Sequence, residues 1–367
     1  MTESKDPKRP KSSPLAKIGS LEAFSKVDPH ELLTALEVQS TKHERQEVMG
    51  RIRDLRTKLG QSFLGRHVAI DGVLASLMSG VPAVLLGPPG TAKSSIIKMI
   101  SRRTRSAESA QSSFFEYLLS QHTMPEEIFG PPMIQELREN NRFKRETKNM
   151  LPEAEFAFLD EVFRGGSHIL NTLLTIVNER EFHNGVEKMT VPLVGVLAAS
   201  NDPPLDPELA AFYDRFPLRI WVESVFDDTK VTTTDSQRVQ SLLEVEQKLA
   251  KLARRDDEPL VCVNDFRFMQ AVIERARIDT LIAGDLLQRL FLKFRRSNLC
   301  ELSDRTLFPI AKVALALHFL RGERETKTSQ EEAVRTAFQF VAPSRELARQ
   351  ISDELEGQFG LQHTGRQ

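Results

Sequence analysis

The sequence predicts an α/β domain built on a parallel sheet, followed by an all-helical domain and preceded by a helical extension. Two observations carry this. Short apolar runs alternate with helical periods up to Trp221, the pattern of strands buried between helices on both faces. Beyond Trp221 the runs 235–254, 264–278, 281–297, 307–321 and 329–355 all space their apolar residues by three and four, which is helical. The strands read as the run ending at Leu86, then Ser113–Leu119, Phe156–Leu159 and Val191–Ala199.

Residues 1–19 are rich in Lys, Pro and Ser and read as a solvated tail. From Leu21 to Leu59 the pattern is helical but charged nearly all round, which predicts an exposed helix or one that docks on a partner. Of 367 residues, 40% are hydrophobic and 28% charged, an ordinary globular composition. The 50 Lys and Arg nearly cancel the 51 Asp and Glu, so no chain-wide basic field calls for nucleic acid or anionic lipid. No apolar run approaches the ~18 residues of a membrane span, and the first thirty residues lack the apolar stretch of a signal peptide. Two cysteines, Cys262 and Cys300, build no disulfide framework. The expectation is a cytoplasmic protein with no membrane span.

The most informative segment is Gly87-Pro88-Pro89-Gly90-Thr91-Ala92-Lys93-Ser94-Ser95, set between a predicted strand and a predicted helix. This is the context of a Walker A loop, whose backbone N–H groups and following helix N-terminus cradle phosphate oxygens. Lys93 is placed to reach the β and γ phosphates, and the Ser94 hydroxyl to bind Mg²⁺. Ala92 departs from the consensus, which has glycine there.

Phe156–Leu159 runs into Asp160-Glu161, the form of a Walker B strand. There Asp160 holds Mg²⁺ through water and Glu161 polarises the attacking water. Ala198-Ala199-Ser200-Asn201 closes the fourth strand, and its amide is placed to orient that water. In Phe212-Tyr213-Asp214-Arg215-Phe216, Arg215 reads either as a surface charge or as a finger serving a neighbouring subunit. Ser303-Asp304-Arg305 opens a helix from which Arg305 could fold over the same nucleotide. Pro309 stands only four residues on, so that helix is expected either to start near Thr306 or to kink.

These words together (GPPGTAKS, the long run LPEAEFAFLDEVFRGGSHILNTLLTIVNEREFHNG, AASNDPP, FYDRFPLR and LSDR) resemble the AAA+ ATPases, specifically the MoxR branch and its RavA-like members, over roughly residues 58 to 320. The resemblance implies an αβα P-loop core over 58–225, a helical lid and C-terminal helices over 226–367, and a tail with a helical extension over 1–57. It implies hexameric rings with ATP between subunits, Mg²⁺ as cofactor, Asn201 as first sensor, Arg215 as finger and Arg305 as second sensor. It also implies chaperone-like remodelling or maturation of a protein partner, often one bearing a von Willebrand A domain. Two segments match insertions of this branch: the hairpin around Asn184-Gly185, and Pro131–Asn149, which carries eight charged side chains around Phe143.

Other classes stay in view. A nucleotide-gated scaffold would bind ATP and hydrolyse it slowly or not at all, but Lys93, Asp160, Glu161 and Arg215 are all intact. A nucleic-acid motor is disfavoured by the neutral charge balance, and an enhancer-binding activator by the lack of a GAFTGA loop. His168 and His183 lack metal-ligand spacing, and Cys262 and Cys300 lack a zinc pattern. Leu170, Leu173, Leu174 and Val177 read as core.

Overall fold

The computed structural model describes residues 42–63, 65–106, 109, 113–223, 258–276, 284–296, 304–322, 327–342 and 344–351. The predicted tail, the first half of the N-terminal helix, the run 235–254, Cys300 and Ser303 lie outside the described residues.

Five strands form one parallel sheet: β1 (Ala83–Leu86), β3 (Phe114–Leu118), β4 (Phe156–Asp160), β7 (Gly195–Ser200) and β8 (Leu218–Trp221), in the order β3-β4-β7-β1-β8. Along β1, Ala83 and Leu85 join the hydrophobic cluster on one face, and Val84 and Leu86 the cluster on the other. This two-residue alternation, apolar on both sides, is why the strands read as continuous apolar runs. One face is covered by α1 (Lys42–Ser62), α2 (His67–Ser79) and α3 (Lys93–Arg102), together with the C-terminal helices α8 (Val263–Arg275), α9 (Gly284–Arg296), α10 (Asp304–Arg321) and α11 (Lys327–Gln339). The other face is covered by α6 (Ser167–Glu179) and α7 (Ala210–Tyr213), with Leu170, Leu173 and Val177 in that core. Leu174 packs against it only partly buried.

Several expectations are corrected. Helix α1 is not polar all round: Val48, Met49, Ile52, Leu55 and Leu59 form a stripe no more than 3% exposed. Its arginines mask the pattern because each is committed to the fold. Arg51 is bidentate to Asp265 at 2.6 and 3.0 Å, Arg56 bidentate to Asp71 at 2.6 and 2.9 Å, and Arg53 donates to the Phe319 and Leu320 carbonyls. Strand β7 starts at Gly195 rather than Val191, because Pro192 has no N–H to give a ladder. The sheet has a fifth member, β8, and a two-residue strand β9 (Val261–Cys262) pairs with β2 (Thr104–Arg105) after Trp221, where only helices were expected. The helical run 329–355 is split: α11 ends at Gln339 and helix resumes over 345–351, with a proline at 343 in the sequence between. Helix α10 begins at Asp304 and carries Pro309 inside it, so the later start near Thr306 does not occur.

Both predicted insertions form and are joined. The hairpin β5 (Glu181–Asn184) and β6 (Glu187–Thr190) turns at Gly185, whose φ is +67° and whose added Cβ would lie 1.9 Å from Phe143 O. Asn184, 2% exposed, accepts from Arg145 N at 2.7 Å and donates to Arg145 O at 3.1 Å. The Asn184 amide thus plays the part of a strand residue and ties the hairpin to the segment that follows α4 (Pro125–Phe129) and carries α5 (Ile134–Asn140).

Candidate nucleotide site

The C-terminal ends of β1, β4 and β7 meet at one crevice, the place where parallel sheets with crossover helices bind ligands. At the end of β1 the chain turns at Gly87, with φ +147°. A Cβ there would sit 2.1 Å from Val222 O, so only glycine fits between β1 and the end of β8. Gly87 N donates to Asn201 O at 3.2 Å, and Thr91 Oγ1 to Pro88 O at 2.9 Å. Pro88, Pro89 and Gly90 are left exposed as the outer rim of the loop. Ala92 adopts the left-handed conformation (φ 67°, ψ 20°) as the N-cap of α3, which explains the glycine of the consensus.

Lys93 is folded inward, 8% exposed, donating to Gly87 O, to Pro88 O at 3.0 Å and to Asn201 Oδ1 at 3.3 Å. Burial holds its ammonium below the ordinary lysine pKa, against the opposing fields of Asp160, Glu161 and Asp202. Ser94 Oγ donates to Asp160 Oδ2 at 3.0 Å, placing a hydroxyl and a carboxylate side by side. Ser95 is exposed on the first turn of α3. The chain leaves β4 through Glu161, itself left-handed at φ 50°, with its N–H on Asp160 Oδ1 at 3.0 Å. Its carboxylate accepts from Asn201 Nδ2 at 2.9 Å and pairs with Arg164 at 3.4 Å.

The structure therefore brings Lys93, Ser94, Asp160, Glu161 and Asn201 together from three strand ends. It does not bring Arg215 there. Arg215 lies before β8 and, with Arg180 and Pro82, lines a groove of about 720 Å³ at the opposite end of the strands. Roughly 13 Å of strand separates the two, from four residues at ~3.3 Å each. Arg305 lies in the first turn of α10, and its side chain falls outside the described residues. Arg164, three residues after Glu161 and in contact with it, was legible by spacing but was missed. Asp202 and Arg180 were missed too, and Arg180 carries no sequence signal because only folding half-buries it.

The family model for the MoxR domain of MoxR-vWA-beta-propeller ternary systems matches residues 50–253. The chain belongs to the MoxR family of AAA+ ATPases. Two uncharacterized proteins of Methanocaldococcus jannaschii are similar to this MoxR chain. One is 35% identical over 298 residues, 80% of this chain and 71% of the relative. The other is 34% identical over 316 residues, 85% and 78% respectively. A crystal structure of a candidate ATPase from Cytophaga hutchinsonii has the same fold, with a TM-score of 0.63 at 17% identity, covering 87% of this chain and 97% of that one. The MoxR chain has no helix long and apolar enough to cross a membrane among its described residues, and no cluster of His, Cys, Asp and Glu that would hold a metal by itself.

Proposed function

We propose that this MoxR-family chain hydrolyses ATP in a homo-oligomeric, hexameric ring of the RavA-like kind, and uses turnover to remodel or mature a partner protein bearing a von Willebrand A domain. The observation that supports a ring is the separation of Arg215 from the crevice: a finger at the far end of the strands serves a nucleotide only on another copy. The family description, with its vWA component, supports the partner.

The residues fit a magnesium nucleotide. In this reading the loop Gly87–Ser95, exposed at Pro88, Pro89 and Gly90, receives the phosphates, and Lys93 exchanges its carbonyl partners for phosphate oxygens. Ser94 and Asp160 supply hard oxygen donors suited to Mg²⁺, which when bound neutralises charge on the phosphates. Glu161 takes the proton of the attacking water, and Asn201 holds that water against it. Arg305 completes the site as second sensor from the helical region. The division 1–57, 58–225 and 226–367 is our partition into extension, core and lid.

The test is ATPase rate per chain against protein concentration, for the native protein, Arg215→Ala and Glu161→Gln. Activity that climbs steeply with concentration and is lost in Arg215→Ala is the expected result. Activity independent of concentration and indifferent to that change refutes the ring. Negligible turnover by the native chain, left unchanged by Glu161→Gln, would mean a nucleotide-gated scaffold instead.

A further inference from the structure

The groove at the N-terminal end of the strands holds two guanidinium groups, those of Arg180 and Arg215, that no carboxylate contacts among the described residues. Arg180 follows α6 with its backbone left-handed at φ 56°. Its Nη2 donates to Gly80 O at 3.3 Å, at the end of α2, while its Nη1 is buried with no hydrogen-bond partner among the described residues. Burial alone pushes its pKa down to about 10, the direction taken by a cation short of counter-charge. Arg215 lines the same groove, and among the described residues its guanidinium has neither hydrogen bond nor ion pair. The other charges there are spent: Asp214 pairs with Arg219 at 3.3 Å, and Lys312 with Glu274.

Two unpaired cations in one groove repel each other, and one of them is also desolvated. A buried unpaired charge is costly, so the arrangement is relieved by an anion that both arginines can share. A single carboxylate would leave one guanidinium unmatched. A terminal phosphate, with about two negative charges and several acceptor oxygens, matches both, and guanidinium forks suit its geometry. The chain's own loop at Gly87–Ser95 is at the other end of β1, so that phosphate belongs to another molecule.

We propose that Arg180 is a second arginine supplied in trans, joining Arg215 in receiving the terminal phosphate of a nucleotide held by a neighbouring copy. This rests on the ring reading above, and the experiment separates the two.

Arg180→Gln, Arg215→Ala and Lys93→Ala chains are purified, and their ATPase is measured alone and in pairwise mixtures. Arg180→Gln alone is expected to lose kcat on the order of 10²-fold, a modest share of what trans arginines supply. Mixing with Lys93→Ala, inactive by itself but carrying both arginines, is expected to restore activity to Arg180→Gln as it does to Arg215→Ala. Rescue of Arg215→Ala without rescue of Arg180→Gln overturns the proposal and makes Arg180 a cap for α2, with the ring intact. Rescue of neither overturns both readings. If Arg180→Gln melts early, Arg180→Lys, which keeps a donor for Gly80 O but no fork, goes through the same mixtures. Gel filtration with and without ATP supplies the last outcome: loss of assembly by Arg180→Gln in the absence of nucleotide would mean that a carboxylate of the second copy fills the groove, and would also overturn it.

Discussion

Asn201 donates from Nδ2 to Glu161 Oε1 at 2.9 Å while its Oδ1 accepts from Lys93 Nζ at 3.3 Å. One amide thus bridges the proposed base and the proposed phosphate-binding cation, which come from different strand ends.

Replacing that amide is therefore expected to damage turnover more than binding. Asn201→Ala should lower kcat by about 10²-fold, the low end of what a positioned proton-transfer partner contributes, with KM changed about twofold at most. Asn201→Asp should be worse, because it sets a second carboxylate against Glu161. Steady-state kinetics at saturating Mg²⁺ separates kcat from KM.

The Ser94–Asp160 hydrogen bond predicts a metal phenotype. Asp160→Asn and Ser94→Ala should each raise the Mg²⁺ concentration for half-maximal ATPase by ~10- to 100-fold, the range seen when a group that orients a metal site is lost. Titration of Mg²⁺ at fixed ATP checks this.

Ala92 holds a left-handed backbone that costs a residue with a Cβ about 1–2 kcal/mol. Ala92→Gly removes that strain, and the greater freedom of glycine in the unfolded chain takes part of the gain back. The net expectation is ~0.5–1 kcal/mol of added stability and a Tm higher by about 2 °C. Calorimetry without nucleotide is the measurement.

Asn184 carries the link between hairpin and insertion on one buried amide. Asn184→Ala leaves the Arg145 N–H and carbonyl unpaired and should cost about 2 kcal/mol. ATP affinity should stay within twofold, because the hairpin lies away from the Gly87–Ser95 loop. Urea unfolding and nucleotide titration test the two halves.

Glu223 binds Arg345 at 2.8 Å and Arg349 at 3.1 Å, tying the end of β8 to the helix over 345–351. Burial pushes its pKa up, but the bonds and charges of the two arginines outweigh this and hold it below the usual carboxylate value. Its folded pKa is thus depressed, so its contribution is present above the unfolded value of about 4.3 and lost as pH falls through the folded one. The pair is well exposed, and Glu223→Gln should cost no more than ~0.5 kcal/mol at pH 7. The gap between variant and native urea midpoints should close below about pH 4.

What was legible in the sequence was what is written contiguously. The Gly87–Ser95 loop, the strand ending in Asp160-Glu161, Asn201 and the Asn184-Gly185 hairpin each sit in a few successive residues, so local periodicity and spacing expose them. Helix α1 was misread because Arg51, Arg53 and Arg56 look like solvated charge until their carboxylate and carbonyl partners, up to 267 residues away, are seen. Strand β8 was missed because four residues after a proline carry too little pattern. The sequence by itself determined the fold class, through apolar runs that both faces of a parallel sheet must bury, and named the residues that meet at the crevice. Only the tertiary structure decided that Arg215 stands at the other end of the strands and that the half-buried Arg180 lines the same groove. Which residues share a groove depends on strand order and helix packing, and neither is a local property of the chain.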